Sequence, residues 1–258
     1  MGAYLSLIKI SFKNAFAYKV TFFTSLIGII ITILAQMAVW RFVYSKDADM
    51  LVYMTNYVII SNILGILYSD RIIMPLGEKI RNGNYVMDLL KPIETVSFIW
   101  GMSSGQMLAG LFNQVLPTAV IFLPFLITIQ YNIQNLLWFL VVCILNFILI
   151  SLIFIIVGFL AFIVIEVWPF HYFTTETIRL LSGSIIPIAL FPSWLSKLVS
   201  FTPFPFIYSF PLRIILEDLT LKEITYNLFI LVIWIIVLSM VLRVIQNIAV
   251  RKSIVQGG

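Results

Sequence analysis

Glu166 and His171, in the run EVWPFH, are the one place in the sequence where a carboxylate and the sole histidine come close together. Such a pair can pass a proton when both side chains reach the same reacting group. Pro169 breaks any helix between them, and Trp168 is a residue type enriched where membrane meets water. The run is therefore read as a short inner turn where a cytoplasmic partner presses, not as a catalytic pair. Other catalytic signatures are missing: no GxxxxGK[ST] phosphate loop, no HExxH, no GxSxG and no His/Cys set at metal-ligand spacing. The single Cys143 sits in an apolar run, so one chain can form no disulfide. The sequence predicts no catalytic residue, no metal site and no cofactor held by this chain.

A different chemistry is present in GEKIRNGNYVMDLLKPIE, residues 77–94. Six of its eighteen residues are charged, in a chain where only 10% are. Gly83 punctuates it as a helix–turn–helix would be punctuated. Tyr85 to Leu90 is apolar on one side, and the stretch ends at LLKP, where Pro92 stops any helix. A solvated connector needs none of this pattern; a handle gripped by a soluble protein does. Val86, Leu89 and Leu90 would be the apolar seat, with Glu78, Arg81, Asp88 and Lys91 setting register at its rim.

The elements that hold this island are greasy. Of 258 residues, 62% are hydrophobic, and the mean hydropathy is +1.09. A soluble domain carries about 25% charged residues, so the composition predicts a single multi-pass membrane domain. A helix needs about 20 apolar residues to cross the hydrocarbon. Six segments are assigned: 20–42, 54–74, 98–129 with kinks at Pro117 and Pro124, 136–165, 177–191 and 224–244. With the N-terminus inside, eleven Lys and Arg fall on the inner side and five on the outer. That bias predicts both termini in the cytoplasm and places the island there too. The first apolar run continues past the length of a signal-peptide core, so it is read as a retained span.

Residues 1–19 carry Leu5, Ile8, Phe12 and Phe16 at helical spacing, as an amphipathic helix along the inner surface would. Residues 183–213 hold half of the chain's ten prolines. They are too apolar for a solvated loop and too broken for a straight span. Irregular backbone in lipid must be packed against protein, so the expectation is a re-entrant outer hairpin of two short helices, anchored at headgroup level by Trp194 and Tyr208. Within the spans, Thr55, Asn62 and Ser69 recur every seven residues on one face, and Asn113 and Gln114 follow on the third span. They serve either interhelical hydrogen bonds or a pathway or dimer face. Gly101, Gly105 and Ala109 recur every four residues and predict close helix approach.

Taken together, the N-terminal helix, the inner run IRNGNYVMDLLKPI and the outer stretch SGSIIPIALFPSWL…TPFPFIYSFP resemble the membrane subunit of ATP-binding-cassette type-2 exporters, in the branch of short permeases without a large outer domain. The resemblance implies an all-α membrane protein of six spans in the plasma (inner) membrane of a prokaryote. It further implies a permease that dimerises with an identical or homologous copy and binds two ATPase subunits, which would hold the ATP and Mg. Residues 78–91 would couple to the ATPase, with Gly83 at their turn. Residues 1–18 would form the interface helix. Pro187, Phe191, Pro192, Trp194, Pro203, Phe204 and Pro205 would shape an outer gate. The expected function is export of a hydrophobic or amphipathic substrate (peptide, drug, lipid or glycan type) with no nucleic acid involved. The alternative is a membrane scaffold or immunity-type protein that binds a partner without transport.

Overall fold

The computed structural model of the chain describes residues 2–17, 19–68, 73–85, 87, 94–126, 132–164, 166–217 and 219–256. Among them every regular element is helical. Helices α1 (Gly2–Ala17) and α2 (Lys19–Val43) come first. A tight turn leads to α3 (Ala48–Leu67), which starts six residues before the apolar window expected to begin it. Asp47 explains the early start: its carboxylate accepts from the Met50 N–H at 3.0 Å, satisfying an otherwise orphaned donor of the first turn. Next comes α4 (Ile73–Arg81), closed by a turn in which Gly83 takes φ +73° with open space around it.

The third expected segment is interrupted. Helix α5 (Thr95–Gly110) widens into a π turn (Leu111–Val115) before α6 (Leu116–Ile121) and α7 (Leu123–Leu126). Pro117 accounts for the widening. It has no N–H for the Asn113 carbonyl, and its ring would crowd that oxygen in a regular helix. The Leu116 N–H instead reaches the Leu111 carbonyl, five residues back.

Helix α8 (Ile133–Gly158) is capped by Asn132 and runs into a 3₁₀ turn (Phe159–Phe162). Then α9 (Trp168–Leu181) begins with Pro169 in its first turn, where a missing N–H costs nothing. The expected helix over 177–191 is not one helix. α9 ends at Leu181, Gly183 turns the chain at φ +84°, and only a 3₁₀ turn (Ile188–Leu190) follows Pro187. The outer stretch contains three short helices rather than two: α10 (Ser193–Ser200), α11 (Phe204–Ile207) and α12 (Ser209–Leu216). The long α13 (Leu221–Gln256) completes the chain.

Among the described residues four helices are long and apolar enough to cross a membrane: Phe22–Val43, Ala48–Leu67, Ile133–Phe162 and Leu221–Ala249. About half of the second and third of these is buried, against 6% and 11% of the first and last. So α3 and α8 form the centre, and α2 and α13 form the walls. The core joins Tyr57 and Leu64 of α3 to Leu149 and Phe154 of α8 and to Ile207 and Leu212 of the outer stretch.

The irregular backbone after α9 is tied to these central helices. The Tyr57 hydroxyl donates to the Gly183 carbonyl, and Ser61 Oγ donates to the Ser184 carbonyl at 2.6 Å. Asn146 Nδ2, fully buried midway along α8, donates to the carbonyls of Phe206 at 2.7 Å and Ile207 at 3.3 Å. The Tyr53 hydroxyl donates to Glu217 at 3.0 Å, and Glu217 also receives Arg213 Nε at 2.8 Å. Carbonyls left free by broken helices are thus met by side chains, as a low-dielectric setting requires. Tyr208 is not the surface anchor expected; it is buried edge-on against Tyr68, centroids 5.5 Å apart. Trp194 is exposed.

The small-residue stripe of α5 receives α1. Gly101 faces Tyr4 and Leu7, and Gly105 lies against the α1 backbone at Ile8 and Phe12. Ser11 Oγ donates to the Met102 carbonyl at 2.6 Å. The face of α1 that meets protein therefore runs through Tyr4, Leu7, Ile8 and Ser11. Leu5 and Phe16, two members of the expected apolar stripe, remain exposed.

Candidate functional site: an inner docking face and a polar cavity

At the end of the bundle expected to face inward, α4 is held by an apolar side that points into the bundle. Leu76 and Ile80 are buried with Phe159 and Ile155. Gly158 leaves room for Leu76, and Gly77 leaves room for Val167; a Cβ on either glycine would come within 3.1 Å of the facing side chain. Tyr85, in the expected docking stretch, is turned inward instead and meets Phe159 and Phe162 edge-on at 5.9 and 5.2 Å. The opposite side is polar and exposed: Glu78, Arg81, Asn82, Gly83 and Asn84, with Met87 exposed beyond them. Lys79 Nζ lies 4.9 Å from the centre of the Phe98 ring, a cation–π contact.

Arg81 Nη1 also donates to Glu166 at 3.1 Å, which joins two regions 85 residues apart in the sequence. The expected primary and secondary inner contacts are therefore one surface. Both partners are about half exposed, so the pair contributes roughly 0–1 kcal/mol to stability. Glu94 accepts from Gln246 Nε2 at 3.2 Å, tying the start of α5 to α13. His171 lies one turn into α9, half-buried, its ring 6.4 Å from that of Phe154. Of the other predicted docking residues, Val86, Asp88, Leu89, Leu90 and Lys91 lie outside the described residues, as does Ser69 from the pathway face.

Higher in the bundle lies a cavity of about 500 Å³. Asn62 and Asn113, both predicted for the pathway face, line it together; Thr55 is buried elsewhere. Gln114, named beside Asn113 from the sequence, lines it too; sequence reasoning missed Gln36, Gln106 and Arg179, which also line it. The signal was available in Gln36, a lone amide within an apolar span. For Gln106, the missing information was the wall it shares with amides of other helices. Asn62 Nδ2 donates to Gln36 Oε1 at 2.8 Å, and Gln114 Nε2 donates to Ser25 Oγ at 2.7 Å. These amide contacts attach α2 to the bundle. Asn113 and Gln114 sit on the π turn, a feature concentrated at functional sites.

An all-helical, multi-pass membrane protein with an open, amide-bearing cavity among its helices is built as transport permeases are. Over residues 20–257 the sequence matches the family described as ABC-2 family transporter protein, and the chain belongs to that family as a membrane permease subunit of an ABC transporter. Membership implies an ATPase partner. No curated protein matches the chain.

Proposed function

We propose that the chain is the export permease of an ATP-driven pump, energised by separate ATPase subunits that grip the inner face around α4. The observation that carries this reading is the two-sided character of α4. Its apolar side is wedged into the inner ends of α8 and α9, while Glu78, Arg81 and the turn at Gly83 face outward. A push on such an element moves the bundle, because Leu76 and Tyr85 are interlocked with Gly158, Phe159 and Phe162. A floppy connector would dissipate the same push. In this reading two copies of the permease, identical or homologous, meet two ATPases, ATP and Mg stay on the ATPases, and this chain catalyses nothing itself. Substrate leaves between the permeases at the plasma membrane of a prokaryote, with both termini in the cytoplasm.

Six passages fit the same contacts. Helices α5 to α7 together make a third passage, and α9 with the outer stretch makes a fifth. The hydrogen bonds of Gly183 and Ser184 to mid-α3, and of Phe206 and Ile207 to mid-α8, favour a re-entrant hairpin that dips to that depth and returns. A scaffold that only binds a partner has no use for a polar cavity of this size. The test is co-purification. Leu89→Asp should release the ATPase from the detergent-solubilised complex, Arg81→Ala should weaken it modestly, and both proteins should still insert. A Leu89→Asp complex that stays intact and still couples transport to ATP hydrolysis would refute the docking assignment.

A further inference from the structure

We propose that the cavity is a binding site, within one copy of the chain, for a hydroxyl-rich anionic group. The inference rests on the permease reading and names the part of the substrate that this protein grips. The lining is made for hydrogen bonding without charge. Gln36, Asn62, Gln106, Asn113 and Gln114 supply carboxamides from three directions, and Ser25, Ser61 and Thr175 add hydroxyls. A carboxamide both donates and accepts, and so does a hydroxyl; a polyol or sugar ring presents the matching array on every edge. Gln106 and Asn113 have no side-chain hydrogen bond to any described residue, so their amides are available to a ligand. Phe154 and Tyr208 add aromatic side chains to the lining.

The charge is set by Arg179. Among the described lining residues it is the single ionisable Lys, Arg, Asp, Glu or His side chain. Its partner Glu176, 3.1 Å away one turn earlier on α9, does not line the cavity, and the pair is about half exposed. A guanidinium has five donors, and this contact leaves most of them for an anionic oxygen. An organic cation would find no carboxylate among the described lining residues. A bare acyl chain would have to displace water from the Gln106 and Asn113 amides and leave both without a partner. The volume is that of an ordinary small-molecule site, about 300–1,000 Å³.

The test uses the full chain with Cys143→Ala and Ile66→Cys, an apolar lining position, in phosphatidylcholine nanodiscs. The rate of reaction with a membrane-impermeant, charged thiol reagent is followed with and without two probes, dioctanoyl phosphatidylinositol and glucose 1-phosphate. A second variant, Ile29→Cys on the α2 wall, repeats the measurement should the first be polydisperse. Position 66 should react at least tenfold faster than the outward-facing control Ile144→Cys. One of the two probes should slow it at least fivefold, the lipid probe marking a membrane-borne substrate and the sugar phosphate a free one. Arg179→Gln should remove that protection, and tetraphenylphosphonium should give none. Reaction as slow as at position 144, protection by neither probe, protection that survives Arg179→Gln, or stronger protection by the cation would each overturn the proposal. No ATPase is present in this assay. A complex that fails to couple ATP to transport would sink the permease reading alone, and an unprotected cavity would sink the site alone.

Discussion

Gly105 offers the sharpest test of how α1 is held. A Cβ added there would lie 2.5 Å from the Ile8 carbonyl oxygen and 2.6 Å from Ser11 Cβ, distances that real side chains do not show. One of the obstacles is backbone, so no rotamer change relieves the clash and the helices must separate. Overpacking of this kind costs about 1–3 kcal/mol. Separation also stretches the Ser11–Met102 hydrogen bond, worth roughly 1 kcal/mol. Against this, alanine favours the helix over glycine by about 1 kcal/mol. The net for Gly105→Ala is a loss of roughly 1–3 kcal/mol. Gly28, on α2, is the internal control: nothing lies within 4 Å of its added Cβ, so Gly28→Ala keeps only the propensity gain. The assay is thermal denaturation of the purified permease, with a disulfide between Leu7→Cys and Gly101→Cys in a Cys143→Ala background reporting α1 docking. At about 2–4 °C per kcal/mol for a chain of this size, Gly105→Ala should melt roughly 2–12 °C lower and cross-link less. If both alanine variants melt together, or Gly105→Ala melts higher, α1 is not seated in the stripe as described.

Three further outcomes follow from other contacts. Asn146→Leu should destabilise the protein by roughly 1–3 kcal/mol, because the Phe206 carbonyl loses its buried donor, and Asn146→Gln should not restore it; unchanged melting would refute the tie between α8 and the outer stretch. Arg81→Ala should shift melting by less than about 1 kcal/mol, since the Glu166 pair is half exposed, while a coupled ATPase assay on the complex should fall; a large stability loss with intact coupling would reverse the assignment. Asn84→Cys should be labelled from the cytoplasm and Lys46→Cys from outside, both residues being exposed; labelling from the opposite sides would overturn the orientation.

The sequence made the long helices legible because twenty apolar residues in a row admit few structures. Residues 20–42 and 224–244 were placed within a few positions of the cores of α2 and α13. The start of α3 was missed because a hydropathy window ignores caps, and Asp47 acts through one hydrogen bond. The segment 177–191 failed for the opposite reason. It is apolar enough for a span, but Gly183 and Pro187 impose a local backbone that average hydropathy cannot register. Asn62 and Asn113 were picked out from their residue type alone, and they do share a cavity. That Thr55 does not join them, and that Gln36 does, depends on which neighbour faces each side chain. The Arg81–Glu166 pair was beyond reach in the same way: each residue was named for the inner surface, but nothing in either run indicates the other.

The π turn at Leu111–Val115 holds one residue more than a regular helix needs for the same rise. Its consequence concerns counting. Helical wheels drawn through residues 95–126 at a fixed 3.6 period stay true up to Gly110 and then slip by about one position, roughly 100° of rotation. The polar wall of the cavity is therefore specified partly by chain length. Removing a single residue here would leave the composition almost untouched, restore ordinary helix, and swing either Asn113 or Gln114 out toward lipid. In related chains, a one-residue gap at this point would signal a differently shaped site even where every side chain type is the same.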